Sequence, residues 1–180
     1  MKTIFTIGVF CKAALIFSLF LPCSSIAQEI SVDLKIKKAG YLLSVSASRL
    51  NVIRSDLSEI RKKYSLLNVP DDSKLYPITL LIENISMVEI ICVYEGLLLD
   101  TLDKLEEKKF EQYDFHYSRM KKSTLKRLYV INRSIQTYIN NSEDKEVLIL
   151  AMVAKEEILK VQKRIEDVIS ILYDQKNSPP

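Results

Sequence analysis

Residues 145–173 read KEVLILAMVAKEEILKVQKRIEDVISILY, and their pattern indicates which class of fold to expect. Apolar residues recur every three or four positions, at Val147, Ala151, Ala154, Ile158, Val161, Ile165, Val168 and Leu172. This period is typical of a helix that buries one face. The preceding residues 140–144 (NNSED) supply an N-cap and acids for the first turn. The stretch therefore predicts a long amphipathic helix.

Three earlier stripes have the same period. The first consists of Leu43, Ser46, Leu50, Ile53, Leu57, Ile60, Tyr64 and Leu67; the second of Leu81, Ile85, Val88, Cys92, Glu95, Leu99 and Leu102; the third of Leu128, Ile131, Ile135 and Tyr138. Extra Leu and Ile around the second helix predict that it is the most buried. Residues 68–77, with Pro70 and Pro77, predict a linker. We expect the turn between helices two and three near Asp114–His116.

Four such helices with short connections predict an all-α protein, folded as an up-down-up-down four-helix bundle. Residues 78–114 contain nine acids and three bases, whereas residues 115–142 contain six bases and no acid. Opposite charges favour an antiparallel pairing of helices two and three. The alternative is a long three-helix, coiled-coil-like bundle in which these two helices are fused.

Residues 1–27 predict a secretory signal peptide. Lys2 and Lys12 provide positive charge, residues 13–21 are apolar, and Ser25-Ile26-Ala27 places small residues before Gln28. We expect cleavage between Ala27 and Gln28 and a periplasmic or secreted product. A retained anchor is the alternative, although an apolar stretch of about nine residues is short for a span that needs about 20.

Residues 28–40 leave two interpretations open. Ile30, Val32, Leu34 and Ile36 alternate with polar residues, which is the period of a strand. The segment is either an extended N-terminal arm or the frayed start of helix one. We favour the second, because a lone strand has no partner in a helical domain. Residues 41–176 then form the bundle domain and residues 177–180 a disordered tail.

The composition excludes several chemistries. His116 is the only histidine, and Cys92 is the only cysteine after residue 27, which is too few for a zinc site, a di-iron site or covalent haem. We therefore expect no enzyme, no metal and no cofactor. His116 is expected at the surface or at a helix end, and Cys92 as a buried, inert thiol. Adjacent residues diverge on a helix, so Glu156 and Glu157 are expected on a solvated face.

A ligand site is predicted at Tyr94, Glu95 and Gly96. Glu95 falls on the buried stripe of helix two, where an unpaired carboxylate is costly and should be paired or functional. Gly96 costs a helix about 1 kcal/mol relative to Ala, which indicates a packing reason. The hypothesis is a small pocket or kink here. The alternative places Glu95 at the edge of the stripe, where it reaches solvent or a neighbouring base.

A contact patch is predicted around the proposed turn. It consists of Phe110, Tyr113, Phe115, Tyr117, Arg119, Lys122 and Lys126. Exposed aromatics here would contact another protein, whereas inward ones would close the end of the bundle. The basic helix 115–142 suggests contact with an anionic membrane surface, unless its charges pair with the acidic helix.

Together these features predict an exported, non-enzymatic helical bundle that acts through protein–protein contacts, as an adaptor, inhibitor or assembly component. Its partner is an unidentified protein, and a homo-oligomer is one option. After residue 27 the chain has 24 bases and 23 acids, so an exported chain of this kind predicts no nucleic-acid partner. The alternative is a binding module for a small or lipid-like ligand held between helices.

Overall fold

The computed structural model describes residues 5–66, 72–102 and 109–177, with side chains for residues 32–66, 75–102, 111–175 and 177. The chain divides into two units, Met1–Lys35 and Ile36–Pro180. The first unit is helical from residue 5 onward. The side chains behind the signal-peptide prediction, and residues 178–180 of the predicted tail, lie outside the described residues. The second unit contains the helical bundle and every candidate site.

Five α-helices account for nearly all the described residues. They are α1 (Phe5–Leu66), α2 (Asp72–Leu102), α3 (Lys109–Arg119), α4 (Leu125–Asn141) and α5 (Lys145–Asn177). A π-helical turn, Met120–Thr124, joins α3 to α4 with helical backbone on both sides, so that these three elements form one rod. The described residues contain no strand, and the alternating residues Ile30–Ile36 lie within α1.

Neighbouring rods run antiparallel. Two side-chain hydrogen bonds set the direction of each pair: Arg54–Glu89 and Arg61–Thr79 for α1 with α2; Glu95–Arg119 and Asn84–Ser134 for α2 with the α3–α4 rod; Tyr129–Glu166 and Gln136–Lys155 for this rod with α5; and Ser46–Glu157 and Tyr64–Asp144 for α1 with α5. These pairs place α1 beside α2 and α5, and the α3–α4 rod beside the same two helices. The all-α, up-down-up-down four-helix bundle is confirmed. The fused three-helix alternative is wrong, because α2 and the α3–α4 rod fold back on each other.

The predicted stripes form the core. All eight positions predicted on α5 are fully buried, and the predicted positions of α2 are buried as well. On the first and third helices the prediction also holds, except that Tyr64 and Tyr138 are half-buried and residue 67 lies outside the described residues. Burial of apolar surface contributes roughly 25 cal/mol per Å² and is the main force that holds such helices together.

Two predicted breaks are wrong. The linker was expected to extend to Pro77, but α2 begins at Asp72 and contains this proline. Pro77 is the sixth residue of α2, so its missing N–H removes one hydrogen bond from the second turn without ending the helix. The turn expected at Asp114–His116 lies inside α3, because no Gly or Pro interrupts the helix there.

The second connection forms as predicted. Ser142 is extended (φ −86°, ψ 130°) and ends α4. Asp144 then caps α5, because its Oδ1 accepts hydrogen bonds from the backbone N–H groups of Glu146 at 3.1 Å and Val147 at 3.2 Å. A cap of this kind typically contributes about 1 kcal/mol.

Candidate functional site

The carboxylate of Glu95 is buried and fully paired. Its residue is 1% exposed. Arg119 donates to both oxygens, with Nη1 at 2.7 Å from Oε1 and Nη2 on Oε2. Thr124 donates to Oε1 at 2.5 Å. Glu95 therefore lies inside the stripe and not at its edge, and it reaches a neighbouring base. A fork of this type is the strongest common way to hold a carboxylate.

The π turn explains why Arg119 and Thr124 meet one carboxylate. The two residues are five positions apart, which in a regular α-helix would turn their side chains about 140° away from each other. In the π turn the N–H of Leu125 bonds to the carbonyl of Met120, five residues back. This wider turn brings residues five apart onto one side. π-Helical turns are frequent at functional sites, which makes this cluster the first candidate.

Tyr94 and Gly96 do not join Glu95 in a shared pocket. Tyr94 is 52% exposed, and the Arg119 guanidinium lies 5.1 Å from its ring centre in a cation–π contact. Gly96 packs against α1, where an added Cβ would lie 3.3 Å from the carbonyl oxygen of Gly40. Its packing reason is thus a close approach of two helices. The three residues of the predicted ligand site have three different surroundings.

A second carboxylate, that of Glu157, is also buried, and the solvated face expected for it is wrong. Glu157 is 4% exposed. Ser46 donates to its Oε1 at 2.5 Å, and the cations of Arg49 and Lys160 lie 3.4 and 3.5 Å from its Oε2. Arg164 lies 3.8 Å from Oε1 and also donates to the hydroxyl of Ser46.

The electrostatic balance at Glu157 favours the ionised form. Burial raises the pKa of Glu157, but the hydrogen bond from Ser46 and the charges of Lys160 and Arg49 together lower it below its ordinary value. The sequence contained a signal for this site. Glu157 follows Ala154 by three positions and precedes Val161 by four, so it also fits the buried stripe.

Cys92 is buried and has a free thiol. Burial raises the pKa of Cys92 to about 12; the charge of Arg164 opposes this rise, and the carboxylates of Glu157, Glu89 and Glu95 add to it. A thiol with this pKa is protonated at neutral pH and is a poor nucleophile. The predicted buried, inert thiol agrees with this environment.

His116 is buried, not at the surface or at a helix end as expected. It is 5% exposed, and its ring meets that of Phe115 edge-on at 5.4 Å. Its Nδ1 has no hydrogen-bond partner among the described residues. Burial and the charge of Arg119 lower the pKa of His116, while Glu95 opposes them. The ring is therefore neutral at pH 7.

The predicted contact patch is divided between interior and surface. Tyr113 is buried, and Arg119 is held by Glu95. Phe115 is 61% exposed, and the half-buried Tyr117 packs on Tyr173 with ring centres 5.6 Å apart. Two further members, Lys122 and Lys126, are exposed, and the side chain of Phe110 lies outside the described residues.

The outer face of α2 is a larger apolar surface, which the sequence pattern did not reveal. Helix two was expected to be the most buried because of its extra Leu and Ile, but seven apolar side chains of α2 are 39–69% exposed: Tyr76, Leu80, Met87, Ile90, Val93, Tyr94 and Leu97. Among the described residues, the segment Leu75–Leu102 is long and apolar enough to cross a membrane by length and composition. Its most apolar window has a mean hydropathy of 1.6, and 28% of that window is buried in the bundle. Exposed apolar side chains in this number make the outer face of α2 a candidate contact surface.

Other candidate sites are weaker. An open depression of about 350 Å³ lies between α1 and α5, far along the chain from Glu95; its lining is Asp56, Glu59, Ile60, Lys63, Glu146, Ile149 and Leu150. Within the described part of the chain, no group of three or more His, Cys, Asp or Glu side chains is placed to hold a metal ion. No protein-family model, curated protein or solved structure matches the chain.

Proposed function

We propose that this chain is an exported, non-enzymatic helical bundle that acts through protein–protein contacts, and that the outer face of α2 is its contact surface. The observation that carries this proposal is the exposure of apolar side chains along α2, from Tyr76 to Leu97. Exposing them to water is unfavourable, at roughly 25 cal/mol per Å². A partner that covers them would recover that free energy.

The buried charged groups support a non-enzymatic function. Each oxygen of Glu95 and Glu157 already faces a cation or a hydroxyl, and both residues are at most 4% exposed, so a substrate would have to displace one of these partners. The thiol of Cys92 is buried and protonated. We propose that the two ionic clusters fix the register of the helices, since buried polar groups can select one packing among several.

The ligand-binding alternative has less support. A small or lipid-like molecule between the helices near Glu95 would have to displace Arg119 or Thr124 from the carboxylate. It would then leave a buried charge with fewer partners, which is unfavourable.

Site-specific photocrosslinking in the native compartment tests the proposed contact surface. A photoreactive phenylalanine analogue at Leu97 should form protein adducts, and the same analogue at Val52 on α1 is the control. The two positions have comparable exposure, 63% and 60%. We expect adduct yield at position 97 to fall at least tenfold when Ile90→Lys is added. Equal yields at positions 97 and 52 would contradict the proposal.

Export has its own test. Mass spectrometry of the protein from cells that express the full chain should find Gln28 as the N-terminus. An intact Met1 in the purified protein would favour the retained anchor.

A further inference from the structure

The exposed residues of α2 form a second heptad seam. Tyr76, Leu80, Glu83, Met87, Ile90, Tyr94, Leu97 and Thr101 are spaced alternately by four and three positions, and all are exposed. The buried stripe of the same helix has the same spacing. It is displaced from the exposed set by two positions toward the N-terminus, or about 200° around the helix axis. We call the exposed set the outer seam. A 3.5-residue repeat of this length is what two helices need to pack knobs into holes.

The outer seam is complementary to itself when reversed. When two copies of α2 are aligned antiparallel about the point midway between Met87 and Ile90, Met87 of each copy meets Ile90 of the other. The same alignment places Leu80 against Leu97 and Tyr76 against Thr101. The one charged residue of the seam, Glu83, then meets Tyr94. Apolar residues thus face apolar residues, and the carboxylate faces a hydroxyl.

Both polar members of that cross-pair are available. Glu83 has no ion-pair or hydrogen-bond partner among the described residues, and the hydroxyl of Tyr94 has none either. The Arg119 guanidinium lies over one face of the Tyr94 ring and leaves the hydroxyl at the tip of the ring uncovered. A parallel alignment would place Glu83 against Glu83, and like charges in a seam disfavour that orientation.

The available area suits a stable dimer. The six apolar side chains of the outer seam and the adjacent Val93 are 39–69% exposed, which at about 200 Å² for a side chain of this size is roughly 750 Å² per copy. A standard protein interface buries about 800 Å² per partner. A lipid bilayer suits the same face less well, because Glu83 lies in the seam and the ion pair of Arg54 with Glu89 lies beside it.

We propose that two copies of this chain associate through their outer seams, antiparallel about a two-fold axis, with Tyr94 of each copy donating a hydrogen bond to Glu83 of the other. This inference rests on the proposed function and names the partner as a second copy. A two-fold dimer of this kind uses one surface patch twice and closes without further growth.

Sedimentation equilibrium of the protein purified after expression of the full chain tests the dimer. We expect a reversible monomer–dimer equilibrium. In Ile90→Lys the dissociation constant of the dimer should be at least 100-fold higher. Val52→Lys, at 60% exposure against 59% for Ile90, should change it less than threefold. Circular dichroism must show equal helix content in all three proteins, and Leu97→Lys should repeat the result of Ile90→Lys. A protein that remains monomeric at 100 µM would overturn the inference.

Disulfide formation tests the orientation. Leu80→Cys mixed with Leu97→Cys should form an interchain disulfide between the two variants, whereas Leu80→Cys alone should not. A disulfide between two Leu80→Cys chains would instead show a parallel pair and overturn the antiparallel geometry.

The outcomes also separate this inference from the proposed function. A monomeric protein that still forms adducts with a different protein at Leu97 would refute self-association but keep the contact surface. A monomer that floats with neutral phosphatidylcholine vesicles, and loses this binding in Ile90→Lys, would refute both in favour of lipid.

Discussion

Replacing Arg119 with Met removes the cation that pairs with the buried carboxylate of Glu95. The carboxylate is 1% exposed and would keep one of its three hydrogen bonds, the one from Thr124. Breaking a buried ion pair by removing one partner typically costs about 3–5 kcal/mol. An ordinary carboxyl group can instead take up a proton, which at pH 7 costs about 4 kcal/mol. We therefore expect the free energy of unfolding to fall by about 3–4 kcal/mol.

Urea denaturation at pH 7, followed by circular dichroism at 222 nm, measures this change. With a slope of about 2 kcal/mol per M, the midpoint should fall by about 1.5–2 M and the slope should stay the same. Arg133→Met is the matched control, because Arg133 is exposed on the same rod. It should change the stability by no more than about 0.5 kcal/mol.

A double variant completes the test. Glu95→Leu combined with Arg119→Met replaces both charges with apolar groups, and such replacements are often neutral or stabilising. We expect it to recover to within about 1 kcal/mol of the original protein. A loss below about 1 kcal/mol in Arg119→Met alone, or a double variant no more stable than that single one, would refute a tightly coupled buried pair.

Three further measurements test the packing, the thiol and the histidine. Gly96→Leu should lose about 2–3 kcal/mol in the urea assay, because even a Cβ there meets the α1 backbone at 3.3 Å; unchanged stability would show that the helices can separate freely. In a protein with Cys11→Ser and Cys23→Ser, Cys92 should react with a thiol reagent at pH 8 roughly 10³-fold more slowly than in urea, because its pKa is raised to about 12; equal rates would contradict its burial. The pKa of His116 is lowered in the folded state, so its contribution to stability is complete above pH 6.5 and declines as the pH falls through the folded pKa. Relative to His116→Asn, the original protein should lose stability over that range, and parallel pH curves would be the contrary result.

The helical stripes were predictable because each one repeats a local spacing. The α5 stripe from Val147 to Leu172 contains eight apolar residues that fit the helical spacing, and all of them are buried. A carboxylate on the α2 stripe was expected to be paired or functional, and Glu95 is paired. The identity of the partner was not predictable, since it depends on the π turn that brings Arg119 and Thr124 together.

The remaining errors have physical causes. Glu157 fits the local spacing of the buried stripe, but its charge favoured a solvated face. For His116, burial depends on which rods lie beside it, and that information is not local. The outer seam of α2 was misjudged for the same reason. The sequence shows that α2 is apolar all around, but four rods in a ring cover only its inner side. The turn was misplaced because polar and aromatic residues at Asp114–His116 resemble a loop while remaining compatible with a helix.

The π turn also determines how tolerant the rod is to changes in length. The buried residues His116, Met120, Thr124 and Leu128 are spaced by four three times in succession, which is one residue more than an α-helix needs for the same stretch. Deleting a single exposed residue there, such as Lys122, would let the rod become regularly α-helical. His116 and Leu128 would then be eleven positions apart, which is close to three α-helical turns, so both would stay on the buried face. Arg119 and Thr124 would be four positions apart and would still share one side of the helix. The rod should therefore tolerate the loss of one residue at the π turn, whereas a deletion elsewhere in α3 or α4 would rotate one half by about 100° relative to the other.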